Sequence, residues 1–267
     1  MPTIDTVAAL LAKAERTDNP DEADAYLSKA QQLATLYAID LAAAAAANGG
    51  RSRSTRPVQR TIVMGQPRKH VLPHLVGLFL AIARPNDVKA DIAHNSTYVI
   101  AYGLPDDIDT VESIWLACAP RMVHECAQWI AGDAWRGDLV ARWTRNGLEE
   151  VPVSARGAKA TFCRAYAQRV GSRLAAARAA AIVESDESAA DHGSGKDGAA
   201  MVLVAKSKQI DEYYRGASNA RGAWRGFRGA TSGRSSASGR AGDAAGQRAR
   251  LGNESPLPGQ RPGIQAS

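Results

Sequence analysis

The stretch TIDTVAALLAKAERTDNPDEADAYLSKAQQLATLYAIDL, residues 3–41, decides the fold of the N-terminal part of this chain. Its apolar side chains recur every three or four residues in two runs, the spacing of one face of an α-helix. Asn19 and Pro20 separate the runs, as an N-cap and a first-turn proline. Two amphipathic helices joined by a short turn pack against each other. We therefore predict an antiparallel helical hairpin over residues 1–41. Its apolar stripes are Ile4, Val7, Leu10, Leu11 and Ala14, then Ala23, Tyr26, Leu27, Ala30, Leu33, Ala34 and Tyr37.

The same stretch resembles the family of bacterial and phage proteins known as domain of unknown function 2786. The resemblance rests on residues 4–15, 19–23, 29–33 and 37–40. Later segments, residues 162–170 and 201–204, resemble the companion domain that usually follows in this family, and residues 244–252 partly resemble its glycine- and alanine-rich ending. The resemblance implies a domain order and supplies no catalytic residue or cofactor.

The rest of the chain predicts a helix-rich α+β protein, in which the hairpin precedes a small mixed domain with a β-hairpin and long helices. Its predicted divisions are a linker at 42–57, an α+β domain at 58–216 with a flexible loop at 184–198, and an Arg/Gly/Ser-rich tail at 217–267 that we expect to be disordered in isolation. The predicted elements are a strand at 61–64, a helix at 71–83, a β-hairpin at 88–93 and 97–102, a helix at 105–135 kinked at Pro120 and continuing through 136–145, a helix at 154–182, a strand at 201–205 and a helix at 206–216.

The formal charge of +6 lies in the tail. From residue 218 onward there are eight arginines and two acidic residues, and eight minus two equals the whole surplus. The three cysteines are too few for a disulfide framework, so we expect reduced apolar fillers. There is no apolar run long enough to span a membrane and no signal-peptide pattern at the N-terminus. These features predict a cytoplasmic protein without membrane contact.

Three weak chemical patterns were weighed as sites of catalysis or metal binding. His70 and His74 have the four-residue spacing of a metal pair, and His124 is a third candidate ligand, but Pro73 near the helix start spoils the register. The acidic residues opening the helix at 105 need a partner cluster such as Glu149 and Glu150, and acids at a helix N-terminus are favoured by the dipole alone. Thiol catalysis by Cys163 requires a histidine brought in from a distant part of the chain. The acidic residues are Asp106, Asp107, Asp109 and Glu112.

The basic residues give the favoured functional hypothesis, a non-enzymatic protein that associates with DNA or RNA. The helix at 154–182 carries arginines along one apolar stripe, and the segment RGAWRGFRG, residues 221–229, interleaves arginine with aromatic residues. Such a pattern combines phosphate neutralisation with base stacking. Two alternatives remain open: a protein-interaction or assembly factor acting through the hairpin, and a metal-assisted hydrolase. The candidate nucleic-acid-binding residues are Arg164, Arg169, Arg173, Arg221, Trp224, Arg225, Phe227 and Arg228.

Overall fold

The computed structural model describes residues 56–145, 147–191 and 199–249, together with Lys29, Gln32 and Leu33. These last three residues are helical, and Lys29 Nζ donates a hydrogen bond of 2.8 Å to Gln32 Oε1. The remainder of the predicted hairpin, almost all of the linker and residues 250–267 lie outside the described residues. The predictions for those segments therefore stay predictions.

The described residues form five α-helices and two small antiparallel sheets, so the helix-rich α+β class is confirmed. The strands are β1 (Val58–Val63), β2 (Lys89–Ile92), β3 (Tyr98–Gly103), β4 (Leu139–Thr144) and β5 (Gly147–Pro152). The helices are α1 (Leu72–Ala83), α2 (Pro105–Ala131), α3 (Ala155–Asp191), α4 (Ala199–Ala217) and α5 (Ala237–Gln247). No helix in the described part of the chain has the length and apolarity needed to cross a membrane.

The first sheet has the order β1-β3-β2, and both of its strand pairs are antiparallel. The predicted hairpin of β2 and β3 is confirmed, with Ser96 in its turn at a φ of 60°. Buried side chains of β3, α1, α2 and α3 form the main core, in which Phe79, Val99, Ile108 and Tyr166 have no exposed surface. Helices α1, α2 and α3 thus share one core with the small sheet.

Helix α2 differs in two ways from its prediction. It runs through Pro120 without a break and ends at Ala131, short of the predicted Trp135. Residues 136–145 do not continue it, because β4 pairs with β5 in a second antiparallel hairpin. Asp133, at a φ of 57°, begins a short 3-10 turn that reverses the chain between α2 and β4. The predicted helical continuation was therefore wrong.

The predicted helix at 154–182 is confirmed and extends further, to Asp191, so that part of the predicted loop at 184–198 is helical. The predicted strand at 201–205 is wrong, since these residues belong to α4. The predicted helix at 206–216 is confirmed as the rest of α4. Buried Leu203, Lys206 and Ile210 lie on one face of α4 at helical spacing.

The tail differs most from its prediction, because residues 218–249 are ordered against the body and include helix α5. Glycines of α5 allow backbone-to-backbone approach to α3: a Cβ built on Gly242 would lie 2.8 Å from the carbonyl carbon of Phe162, and one on Gly246 would lie 2.7 Å from the carbonyl oxygen of Tyr166. The high glycine content, from which the sequence predicts a disordered tail, thus includes glycines that the packing of α5 on α3 requires. The prediction of disorder is wrong for residues 218–249.

Three polar contacts fix α5 in place. Buried Asp138 accepts hydrogen bonds of 2.7 Å and 2.9 Å from the backbone N–H groups of Ala237 and Ser238, in the first turn of the helix. A carboxylate at that position satisfies free N–H groups and complements the helix dipole. The guanidinium of Arg169 in α3 forms an ion pair with Asp243. Arg173 donates hydrogen bonds of 2.8 Å and 2.9 Å to the backbone carbonyls of Gly246 and Ala249.

Candidate functional site

A cavity of about 350 Å³ lies between α1 and α3 beneath residues 224–227. A volume of this size falls within the range of about 300–1,000 Å³ typical of small-molecule pockets. Small residues form its walls, and its other lining residues carry aromatic, cationic or amide groups. The lining residues are Pro73, His74, Gly77 and Ala81 from α1, Ala160, Cys163, Arg164, Ala167 and Gln168 from α3, and Trp224, Arg225, Gly226 and Phe227.

The segment 221–229 is held over this cavity by its aromatic residues. Trp224 packs against the main core and donates a hydrogen bond of 3.1 Å from Nε1 to Ser96 Oγ. The ring of Phe227 lies 5.6 Å from that of His74, centroid to centroid, and the Arg156 guanidinium carbon lies 5.3 Å from the same phenyl centroid. Gly226, at a φ of 62°, turns the chain between the two aromatic residues.

The eight predicted nucleic-acid-binding residues divide into three groups. Arg169 and Arg173 bind α5, as described above, so their guanidinium groups serve the fold. Arg164 and three residues of the segment line the cavity together, and Arg221 and Arg228 are exposed on either side. Arg164 also donates a hydrogen bond of 2.7 Å to Thr231 Oγ1. The structure therefore brings part of the predicted set together and assigns the rest to docking of the tail.

The segment 221–229 carries three arginines and no acidic residue. Within the described part of the chain, Arg221, Arg225 and Arg228 form no ion pair, and all three are exposed. By contrast, Arg178, the last basic residue of α3, forms an ion pair with Asp87 at 2.7 Å. The arginines of the segment are thus available to a ligand, and Arg164 and Arg225 line the cavity itself.

Two titratable groups line the cavity in their neutral forms. Burial lowers the pKa of His74 to about 4, and the nearby charges of Arg164 and Arg156 lower it further. A hydrogen bond with the thiol of Cys126 and burial together raise the pKa of Cys163 well above its ordinary value. The Cys163 side chain is therefore a thiol at neutral pH, which argues against nucleophilic catalysis.

The candidate metal ligands do not converge. In residues 56–145, 147–191 and 199–249, no three His, Cys, Asp or Glu side chains come together as a metal site. His70 precedes the start of α1, whereas His74 lines the cavity and His124 lines a separate groove beside α2. Because α1 begins at Leu72, with a proline in its first turn, His70 and His74 do not share a helical face.

The acidic residues at the start of α2 are also divided. Asp109 and Glu112 bind Arg60 of β1, while Asp107 lies 2.9 Å from Lys206 Nζ. Lys206 is 5% exposed and lies 3.6 Å from Asp87 as well, so it joins α4 to the body within a buried ionic cluster. Asp107, Asp109 and Glu112, three of the four acids in the predicted cluster, are thus accounted for by ion pairs within the fold.

Sequence analysis missed the role of His74 as part of the cavity, and did not consider Gln168. A signal for Gln168 was present, because it follows Arg164 by four residues and so lies on the same face of α3. No signal placed His74 beneath Phe227, because that contact joins residues more than 150 positions apart.

One segment of the chain matches a known protein family. Residues 3–41 match the family described as Protein of unknown function (DUF2786). No curated protein and no solved structure matches the chain. The match covers the sequence-predicted hairpin and does not reach the cavity.

Proposed function

We propose that this protein binds single-stranded nucleic acid at the segment 221–229 and the cavity beneath it. One observation carries the proposal: three exposed arginines, which form no ion pair among the described residues, lie in the segment that covers a cavity lined by the aromatic side chains of Trp224, Phe227 and His74. Stretches that bind single strands combine a positive path for the backbone with aromatic faces for the bases. Both components occur together here.

Each part of the site has a distinct chemical role in this proposal. Arg221, Arg225 and Arg228 neutralise phosphates, and each contact releases condensed counterions. An unstacked base packs against Phe227, and the exposed Gln168 amide supplies both a donor and an acceptor for its edge. A duplex keeps its bases stacked inside, so the recessed cavity favours a single strand.

The family match supports a wider proposal about organisation. We infer that residues 58–216 form the companion domain that usually follows the N-terminal domain in this bacterial and phage family. In the same proposal the protein meets its nucleic acid in the cytoplasm.

The test is fluorescence anisotropy with a labelled single-stranded oligonucleotide and the full chain, across a salt series. Replacing Arg225 and Arg228 by alanine reduces the slope of log affinity against log salt by about 1.4, at roughly 0.7 per phosphate contact. The matched control replaces Arg142 and Arg145, two exposed arginines of the β4-β5 hairpin, and removes the same charge. An equal effect of both double variants would show that net charge alone drives binding and would overturn the proposed site.

Stacking is tested separately by Phe227→Leu, which keeps an apolar side chain over His74 and removes the aromatic face. Loss of one base-stacking partner costs about 1–3 kcal/mol, or roughly 5- to 150-fold in affinity. A duplex probe of the same sequence binds more weakly than the single strand. Wild-type affinity for Phe227→Leu would contradict the stacking role. Deletion of the tail is unsuitable for either test, because residues 218–249 are part of the folded body.

A further inference from the structure

An apolar groove runs along the exposed face of α2 and begins one helical turn after Glu112, which binds Arg60. Its volume is about 540 Å³, and its lining residues include Leu75, Leu116, Pro120, Val123 and Ala127. Leu116 is 58% exposed and Val123 is 39% exposed, although both are large apolar side chains. We infer that the N-terminal segment, residues 3–41, docks in this groove as a helical hairpin.

The first argument concerns the size of the hairpin. A segment of about 39 residues is below the length at which a chain buries enough surface to fold alone. Its two apolar stripes, at Ile4–Ala14 and Ala23–Tyr37, pack against each other and gain further stability against another apolar surface. The groove on α2 is such a surface.

The second argument concerns where the chain enters the body. Strand β1 begins at Val58, and the side chain of Arg60 in β1 contacts Glu112 of α2 at 3.3 Å. Leu116 lies one helical turn beyond Glu112, so the groove begins where the N-terminal segment arrives. A linker of about sixteen residues spans up to about 50 Å, more than the whole length of the groove.

The third argument concerns length. The groove residues from Leu116 to Ala127 extend over roughly 17 Å of helix at 1.5 Å per residue. The second predicted helix of the hairpin carries its stripe from Ala23 to Tyr37, roughly 21 Å by the same rise. A short tether also gives the hairpin an effective concentration in the millimolar range, which favours it over a second copy or a separate partner.

A paramagnetic label measures this docking directly in the full-length chain. The label is attached to Ala127→Cys, an exposed position at the end of the groove, while the three native cysteines are buried. In the first sample every chain carries both the spin label and the isotope. The expected result is broadening of the amide resonances of residues 3–41, to the same extent at every protein concentration.

The other occupants give different results. A second sample mixes spin-labelled chains that lack the isotope with isotope-enriched chains that lack the label. Broadening in this mixed sample shows that a second copy occupies the groove, which overturns the inference. Absence of broadening in both samples leaves the groove without the hairpin and also overturns it. Broadening confined to the residues beside Ala127 in α2 likewise overturns the inference.

A pair of variants tests the groove itself. Replacing Leu116 and Val123 by glutamine increases the amide hydrogen exchange rate of residues 3–41 by about tenfold or more, because the docked state loses its apolar contacts. The matched control makes the same change at Met201 and Val204, which are 60% and 67% exposed on α4. Equal exchange in both variants, at unchanged melting temperature, would contradict docking in this groove.

Discussion

Replacing Gly242 by alanine tests whether α5 is closely packed on α3, as the ordered tail requires. A Cβ at this position would lie 2.8 Å and 2.9 Å from the carbonyl carbon and Cα of Phe162, whereas ordinary contacts lie at 3.4–4 Å. Moving from 2.8 Å to 3.4 Å needs a shift of about 0.6 Å or more. Because both sides of the contact are helix backbone, no side chain can rotate to relieve it.

The expected magnitude follows from two opposing effects. Overpacking costs about 1–3 kcal/mol, and the rigid backbone places this site in the upper part of that range. Alanine offsets about 0.5–1 kcal/mol through its higher helix propensity. The net expectation is a loss of about 1–2 kcal/mol in the free energy of unfolding, with faster hydrogen exchange in residues 237–247.

Urea denaturation and hydrogen exchange measure both effects. The control is Gly216→Ala in α4, where a Cβ would have no neighbour within 4 Å. There alanine leaves stability unchanged or raises it by up to about 1 kcal/mol. If Gly242→Ala instead matched Gly216→Ala, with the same protection of residues 237–247, close packing of the tail on α3 would be refuted.

Three further predictions concern buried titratable groups. Burial raises the pKa of Asp138, but hydrogen bonds from Ser238, Ala237 and Ser236 outweigh it, so the net pKa is below its ordinary value. The ionised carboxylate therefore stabilises α5 above the pKa of the unfolded state, and this effect is lost as pH falls through the pKa of the folded state. Hydrogen exchange of residues 237–247 should become faster in acid. The substitution Asp138→Asn should remove this dependence on pH. Lys206→Met leaves the Asp107 carboxylate buried without its cation and costs about 3–5 kcal/mol by urea denaturation. The pKa of Asp107 is already raised by burial, so this loss is smaller at pH 5 than at pH 7; an equal loss would argue against the ion pair. His74, with its pKa lowered to about 4, titrates near that value by NMR, and its contribution to stability is lost as pH falls from about 6.5 to about 4; a midpoint near 6.5 would place it in solvent.

Periodicity predicted the long elements of the body well. The stripes of α1, α2 and α3 and the β-hairpin at 89–103 depend on local spacing, which can be read directly from the chain. The error at 201–205 has a physical cause. A short apolar run does not distinguish strand from helix, and the buried face of α4 includes Lys206, whose charge is neutralised by carboxylates distant in sequence.

The tail was mispredicted because amino-acid composition does not show where a glycine is needed for close packing between helices. Gly242 and Gly246 lie where α5 meets the backbone of α3, and only the folded structure shows that no other side chain fits there. The arginines of α3 were similarly ambiguous, since Asp243 and the carbonyls bound by Arg173 lie some seventy residues further along. The segment 221–229 was identified by its residue types, but the cavity beneath it depends on contacts with α1.

Photo-crosslinking tests the central proposal most directly. The full-length chain is irradiated with a single-stranded oligonucleotide containing 5-iodouracil, and the crosslinked peptides are mapped by mass spectrometry. The predicted result is a crosslink within residues 222–228, at Trp224 or Phe227, that is lost when excess unlabelled single strand is added. Crosslinks confined to other surfaces of the protein, or none at low salt, would contradict the proposed site.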